Sequence, residues 1–319
     1  MFTRLAVVAI AAALPIFSAA QNFPSQPIRL IAPFPPGGSV DITSRMIAEP
    51  LGKRLGVQVL VDNRSGASGN IGMEAVAKAK PDGYTIALNT VSLASNPSFF
   101  ANMPFDTLKD FTPLGMVATS QHVLLANKNL PASNVRELIA LAKSKPGKLN
   151  YASAGGGSTF HLSAELFKDL SGTFITHVPY RGGGPALQDT IAGQVEMSFP
   201  VLSAALQHAR AGTVKALAVT GTKRSPLLPD VPTMAEAGLK DYAFTTWFYV
   251  FGPANMPRDV VQRINTALNE VVNSPEMRER FSREGFEAFA TTPEGAGQFV
   301  AGEIKRWNTL IKAKNIKID

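Results

Sequence analysis

Apolar runs that stop at a glycine-rich turn and restart as an amphipathic helix recur along this chain, and that alternation confines it to layered α/β architectures. Residues 28–34 are apolar and β-rich. Pro35-Pro36-Gly37-Gly38 breaks them, and Ser39 reads as the N-cap of a helix with Val40, Ile42, Met46, Ile47 and Leu51 at helical spacing. Further strands are predicted at 57–61, 84–88, 123–126, 149–153, 176–180, 195–199 and 216–220. Helices between successive strands favour largely parallel sheets with helices on their faces. The last quarter is helical. Residues 257–272 carry Val260, Val261, Ile264, Leu268 and Val271 on one face, and Ser274-Pro275-Glu276 and Thr292-Pro293-Glu294 repeat a cap, proline, acid device that starts helices.

At 319 residues the chain is long for one core and suits two lobes of about 100–200 residues each. Its first twenty residues stand apart. Arg4 is followed by the apolar stretch 5–17 and then by Ser18-Ala19-Ala20. These are the parts of a cleaved export signal, with cleavage expected after Ala20. The stretch falls short of the roughly 20 apolar residues of a membrane span. The absence of cysteine suits an oxidising compartment and excludes thiol chemistry, iron–sulfur clusters and thiolate zinc sites. The net charge of +7 favours anionic ligands. The basic residues are scattered, apart from a mild cluster at Lys305, Arg306, Lys312, Lys314 and Lys317, and carry no base-reading motif, so nucleic acid is not an expected partner.

Three strand–turn–helix junctions carry the chemistry: Phe34-Pro35-Pro36-Gly37-Gly38-Ser39, Ser153-Ala154-Gly155-Gly156-Gly157-Ser158-Thr159, and Tyr180-Arg181-Gly182-Gly183-Gly184-Pro185. Ligands of open α/β sheets sit beyond the carboxyl ends of strands. Glycine lets the backbone approach a ligand, and the unpaired N–H groups of a helix start attract an anion. Asn89 and Ser92, just past the strand at 84–88, and the aromatic Phe199 join the candidates. No P-loop, GxSxG elbow or HExxH pair is present, so neither a catalytic residue, a metal nor a cofactor is expected. His161, three residues after Ser158, reads equally as a ligand contact or a local brace. Asp41 reads as structural. Arg181 is the charged residue best placed to take a carboxylate, with a solvent-facing loop arginine as the alternative. If its partner is a buried dianion, its truncation should cost roughly 2–5 kcal/mol.

The order of these motifs resembles the substrate-binding receptors of tripartite tricarboxylate transporters, the Bordetella uptake gene receptors. The resemblance spans nearly all of the chain after the leader. It rests on Pro27-Ile28-Arg29-Leu30-Ile31, the run from Pro33 to Gly38 with Asp41, Val61-Asp62-Asn63-Arg64, Gly69-Asn70-Ile71-Gly72 and Pro81-Asp82-Gly83-Tyr84-Thr85. It continues in Asn150-Tyr151-Ala152-Ser153 with Ser158 and His161, His177-Val178-Pro179-Tyr180, Leu217-Ala218-Val219-Thr220 and Leu228-Pro229-Asp230-Val231-Pro232-Thr233.

It implies a type II-like periplasmic binding protein of two α/β lobes, each a mostly parallel sheet flanked by helices, closing like a Venus flytrap. It implies a receptor that hands its ligand to membrane transporter subunits; the family's ligands include di- and tricarboxylates, aromatic acids and some neutral compounds, and here a small organic anion, a carboxylate or dicarboxylate, is expected, bound by a monomer. The loops 34–39 and 153–159 would grip a carboxylate largely through backbone groups, and second-lobe side chains would read the other end. Near position 181 the family commonly has lysine, so Arg181 keeps the charge and alters its geometry. One lobe is expected from 21–121 with 244–319, the other from 122–243. The alternatives are a sensor that presents ligand to a membrane kinase, which the same fold would serve, and an exported α/β hydrolase, for which no nucleophile and base are apparent.

Overall fold

The computed structural model describes residues 23–314 and 316–318; the leader expected at 1–20 and its cleavage point lie outside them. The chain opens with β1 (Ile28–Ala32), α1 (Ser39–Leu55), β2 (Val59–Asn63), a 3-10 turn (Ala67–Gly69), α2 (Asn70–Ala77), β3 (Thr85–Asn89), α3 (Ser92–Phe99) and β4 (Phe111–Gln121). It continues with β5 (Val123–Asn127), α4 (Val135–Ser144), β6 (Asn150–Ser153), α5 (Thr159–Ser171), β7 (Thr176–Pro179), α6 (Gly183–Ala192), β8 (Met197–Ser198), α7 (Leu202–Arg210) and β9 (Val214–Val219). It closes with β10 (Thr245–Pro253), α8 (Arg258–Asn273), α9 (Pro275–Glu284), β11 (Phe286–Ala288) and α10 (Pro293–Ala313).

Two sheets result, a six-stranded one ordered β11-β4-β10-β3-β1-β2 and a five-stranded one ordered β7-β6-β8-β5-β9. With helices on their faces they form a two-lobed α/β fold. The sheets are mixed rather than mostly parallel. Pairing is parallel where strand–helix–strand units repeat, in β1 with β2 and β3 and in β6 with β7 and β8. It is antiparallel wherever a strand that passes between the lobes takes part, as in β10 with β3 and β4 and in β5 with β8 and β9. A strand that leaves a lobe and a strand that returns to it run in opposite directions, so no helical crossover orders them.

The passage between the sheets is tied at one point. His122, between β4 and β5, donates its N–H to Thr220 Oγ1 at 2.7 Å, and the Thr220 hydroxyl donates to the Phe244 carbonyl at 2.7 Å. The His122 ring is fully buried, and its Nδ1 donates to the Phe199 carbonyl at 2.6 Å.

The helical stripe expected in 257–272 is observed: Val260, Val261, Ile264, Leu268 and Val271 are all buried. Ser274 and Thr292 cap α9 and α10 as the cap–proline–acid pattern requires, accepting from the N–H groups of Met277 and Gly295. α10 seats Trp307, 1% exposed, against Phe244 at a ring separation of 5.5 Å. The indole N–H groups of Trp247 and Trp307 both donate to Glu303 Oε2, at 2.9 and 3.1 Å. That arrangement lets a carboxylate sit 9% exposed with its charge solvated by protein donors.

Candidate functional site

Four helices begin where the lobes face each other: α1 and α3 from the six-stranded lobe, α5 and α6 from the five-stranded lobe. The first N–H groups of a helix have no partner within it. At α1 the cap is Gly38, not Ser39. Gly38 is extended (φ −82°, ψ 165°) and offers no side chain, and Ser39 is already helical. α6 starts at Gly182, again without a side-chain cap. Only α5 spends its capping side chain, with Ser158 Oγ accepting from the His161 N–H at 3.4 Å.

These helix starts border an inner cavity of about 30 Å³, lined by Phe34, Gly38, Ser39, Val40, Thr90, Ser92, Ala154, Ser158, Thr159, Phe160 and Gly183. Hydroxyls and backbone N–H groups are its polar equipment, and among the described residues no charged side chain lines it. A negative group would meet aligned dipoles and donors there, with no ion pair. An outer cavity of about 330 Å³ shares Phe34 and Ala154 with the inner one, and adds Ser68, Phe100, Gly155, Gly156, Tyr180, Arg181 and Ile318 among others. Arg181 is the charged residue on that lining and, among the described residues, has no ion-pair partner. Tyr180 is committed elsewhere. Its hydroxyl donates to Asp189 at 2.7 Å, and burial, then that carboxylate, push its pKa up to about 12.

The cleft is shut. Ser68 Oγ donates to the Gly156 carbonyl and Ser95 Oγ to the Gly157 carbonyl, both at 2.7 Å, and Asn96 Nδ2 holds the Ser68 carbonyl at 3.0 Å. A Cβ at Gly182 would stand 2.6 Å from Pro35 Cδ, so the first and third glycine loops touch across the gap.

The candidates divide by what they touch. Phe34, Gly38, Ser39, Ser92, Ser158 and Thr159 line the inner cavity; Gly155, Gly156, Tyr180 and Arg181 line the outer one. Pro36 and Gly37 are exposed at the rim. Asn89 and Phe199 lie outside both linings. Asn89 is wholly buried, and its Oδ1 accepts from the Thr90 N–H and the Ser92 hydroxyl. Phe199 packs on Phe167 at 5.7 Å in the core. Ser153 and His161 brace the second loop from behind. Ser153 Oγ accepts the Gly155 N–H at 3.1 Å and bonds His177 Nε2 at 2.6 Å. Asp41 is structural, as expected. Burial opposes its charge, but Arg45, the Gly37 N–H and Asn63 outweigh that and hold its pKa below the ordinary carboxylate value.

Thr90, Ser68, Ser95 and Asn96 were not among the candidates. Ser68 did carry a signal, since it lies in Gly66-Ala67-Ser68-Gly69 and takes φ +54°, a left-handed conformation that a turn enforces. Ser95 and Asn96 sit in α3, where Pro97 and scant apolar periodicity hide the helix.

His161 is the more informative brace. It is 1% exposed, and its Nδ1 accepts the Gly157 N–H at 3.2 Å. The neutral ring therefore carries its proton on Nε2 and donates it to the Lys317 carbonyl. Burial, then the charge of Lys168, push its pKa down to about 3. Burial likewise takes His122 down to about 4, against the help of the Phe199 carbonyl. Both folded values lie below the ordinary 6.5, so between the two limits the unfolded chain binds protons that the folded chain refuses. Stability is therefore expected to be flat above pH 7 and to fall as pH drops from 6.5 towards 4, by on the order of 3 kcal/mol per histidine. Asp41 contributes only further down. Denaturant midpoints at pH 8, 6 and 4 check this, and His122→Asn should flatten part of the slope.

The lobes, the hinge and the converging helix starts define a two-lobed solute-binding receptor, and comparison with known proteins agrees. The family described as "Tripartite tricarboxylate transporter family receptor" matches residues 43–316. Protein BugT of Bordetella pertussis is 37% identical over 301 residues, 94% of this chain and 92% of that protein. A protein of R. palustris solved with adipate superposes with a TM-score of 0.90 at 37% identity, covering 93% of this chain and 99% of that one. MatC from Rhodopseudomonas palustris, with bound malate, superposes with a TM-score of 0.84 at 32% identity, covering 91% and 100%. The chain belongs to the tripartite tricarboxylate transporter receptor family, of the Bug type, and is a binding protein rather than an enzyme.

Proposed function

We propose that this chain is a periplasmic receptor that captures a small dicarboxylate between its lobes and delivers it to a tripartite tricarboxylate-type membrane transporter. The observation that carries the reading is the division of charge in the cleft. Among the described residues, the inner cavity offers helix starts and hydroxyls with no charged side chain, and the adjoining outer cavity offers one guanidinium, Arg181, with no ion-pair partner. One carboxylate would sit on the inner dipoles while the second reaches Arg181. Adipate and malate in two relatives support a ligand of this class. The working lobes are proposed as 21–121 with 244–319, and 122–243. Sheet membership supports that division, since the six-stranded sheet holds β1–β4, β10 and β11 and the five-stranded sheet holds β5–β9.

A thermal-shift screen of organic acids followed by calorimetry tests the reading, because a ligand at a hundredfold excess over its Kd adds about 2.7 kcal/mol of apparent stability. No stabilisation by any dicarboxylate would overturn it. Arg181→Ala sharpens the test. Arg181 is exposed rather than buried, so the expected loss for adipate is about 1–2 kcal/mol, less than for a buried pair and smaller in high salt. Hexanoate, which lacks the second carboxylate, should lose little. Equal losses for the two acids would remove Arg181 from the contact.

A further inference from the structure

We propose that the residues described after α10, Lys314 and 316–318, belong to the ligand cavity: Ile318 forms a wall of its outer chamber, these residues are fastened to the five-stranded lobe, and they thereby control how fast a bound anion leaves. This rests on the ligand reading above.

Four contacts place the segment. Lys314 Nζ pairs with Asp169 Oδ2 of α5 at 2.9 Å. Ile316 returns its N–H to the Ile311 carbonyl at 3.0 Å and packs on the core. The Lys317 carbonyl accepts the His161 proton. Ile318 lies so close to Gly156 that a Cβ there would overlap its Cγ2, and it lines the same chamber as Arg181. α10 itself packs on α3 and β4 of the six-stranded lobe. The described residues after α10, Lys314 and 316–318, therefore run from one lobe to the other, and they include two members of the basic cluster, Lys314 and Lys317, that the charge reading leaves unused.

His161 makes the fastening specific. One ring nitrogen accepts from Gly157 in the second glycine loop and the other donates to Lys317, so a single neutral ring holds the loop and the segment together. Ile318 lies against Gly156, and a glycine there leaves room for it. A ligand leaving through the outer chamber must displace Ile318 or part the lobes, and parting them stretches the Lys314–Asp169 pair. That pair is half exposed and alone contributes little; the apolar wall is the larger part.

The experiment uses adipate as the probe and the full chain with Ile318→Ala or Lys314→Ala. Stopped-flow release from Ile318→Ala should be roughly tenfold faster, with the association rate little changed, as is usual when a contact that holds a bound state is trimmed. Lys314→Ala should accelerate release less, and the difference should fade in high salt. A second readout needs no ligand. Hydrogen exchange over residues 155–161 should speed up in Ile318→Ala, because the loop loses what holds it. Wild-type release together with wild-type exchange in both variants would overturn the proposal. If the wild type bound neither adipate nor any other organic acid while exchange still rose, the ligand reading would fail and the fastening of the loop would stand.

Discussion

Gly182→Val is expected to weaken adipate binding at least about 100-fold, a loss of roughly 2.7 kcal/mol, with the fold retained. Gly182 sits at φ +140°, where a side chain is strained, and its Cβ position is 2.6 Å from Pro35 Cδ and 2.9 Å from Pro35 Cγ. Proline cannot swing aside as a flexible side chain would, so the first and third loops would be held apart and the helix starts that border the inner cavity with them. The backbone strain itself should cost about 1–3 kcal/mol of stability, which a denaturation midpoint reports separately from calorimetry. Gly37→Val is the internal control. Its φ of +84° brings similar strain, but nothing lies within 4 Å of the added Cβ. It should lower stability comparably and affinity far less. Equal affinities in the two variants would mean that closure does not depend on the Pro35–Gly182 contact.

Trp307→Ala should be the most destabilising of the substitutions considered, by about 3–5 kcal/mol, the range for emptying a buried aromatic site. The indole is 1% exposed, packs on Phe244 near the hinge and supplies one of two indole N–H groups to Glu303. Trp307→Phe keeps most of the volume and removes only the donor. Trp247 and Arg306 still serve Glu303, so about 1–2 kcal/mol is expected. Chemical denaturation of both variants checks the order. A loss below 1 kcal/mol for the alanine variant would show that α10 contributes little to the core.

The parts of the fold that were legible in the sequence are those with local punctuation. β1, β3 and β6 begin or end at glycine or proline turns, and α8 shows its apolar face at helical spacing, so their positions could be read to within a few residues. β4 and β10 could not. β4 contains Pro113 and Gly115, and β10 is a nearly continuous aromatic and aliphatic run whose pairing partners lie far away in sequence. Pattern within a window does not reveal such pairings. The same distinction applies to the cleft. Loops that hold their chemistry in consecutive residues, such as Gly38-Ser39 and Ser158-Thr159, were identifiable. Thr90, just before α3, and Ser95 and Asn96 within it reach the cleft only because this stretch is brought against the other lobe. Asn89 and Phe199 sit at strand ends as the true lining residues do, but burial directs them into the core.

The strand order has a consequence for how a newly made chain becomes a receptor. β10 lies between β3 and β4, with Tyr249 beside Asn89, while all of β5 to β9 intervenes along the chain. The five-stranded sheet is made of consecutive strands and can be completed from its own residues. The six-stranded sheet cannot, because its central strand is synthesised after the other lobe. Until β10 arrives, the growing polypeptide carries an unfinished sheet with an open strand edge, a slow step set by non-local pairing. The growing chain therefore has no complete first lobe until residues 245–253 are made, and that late strand supplies the piece that closes the sheet.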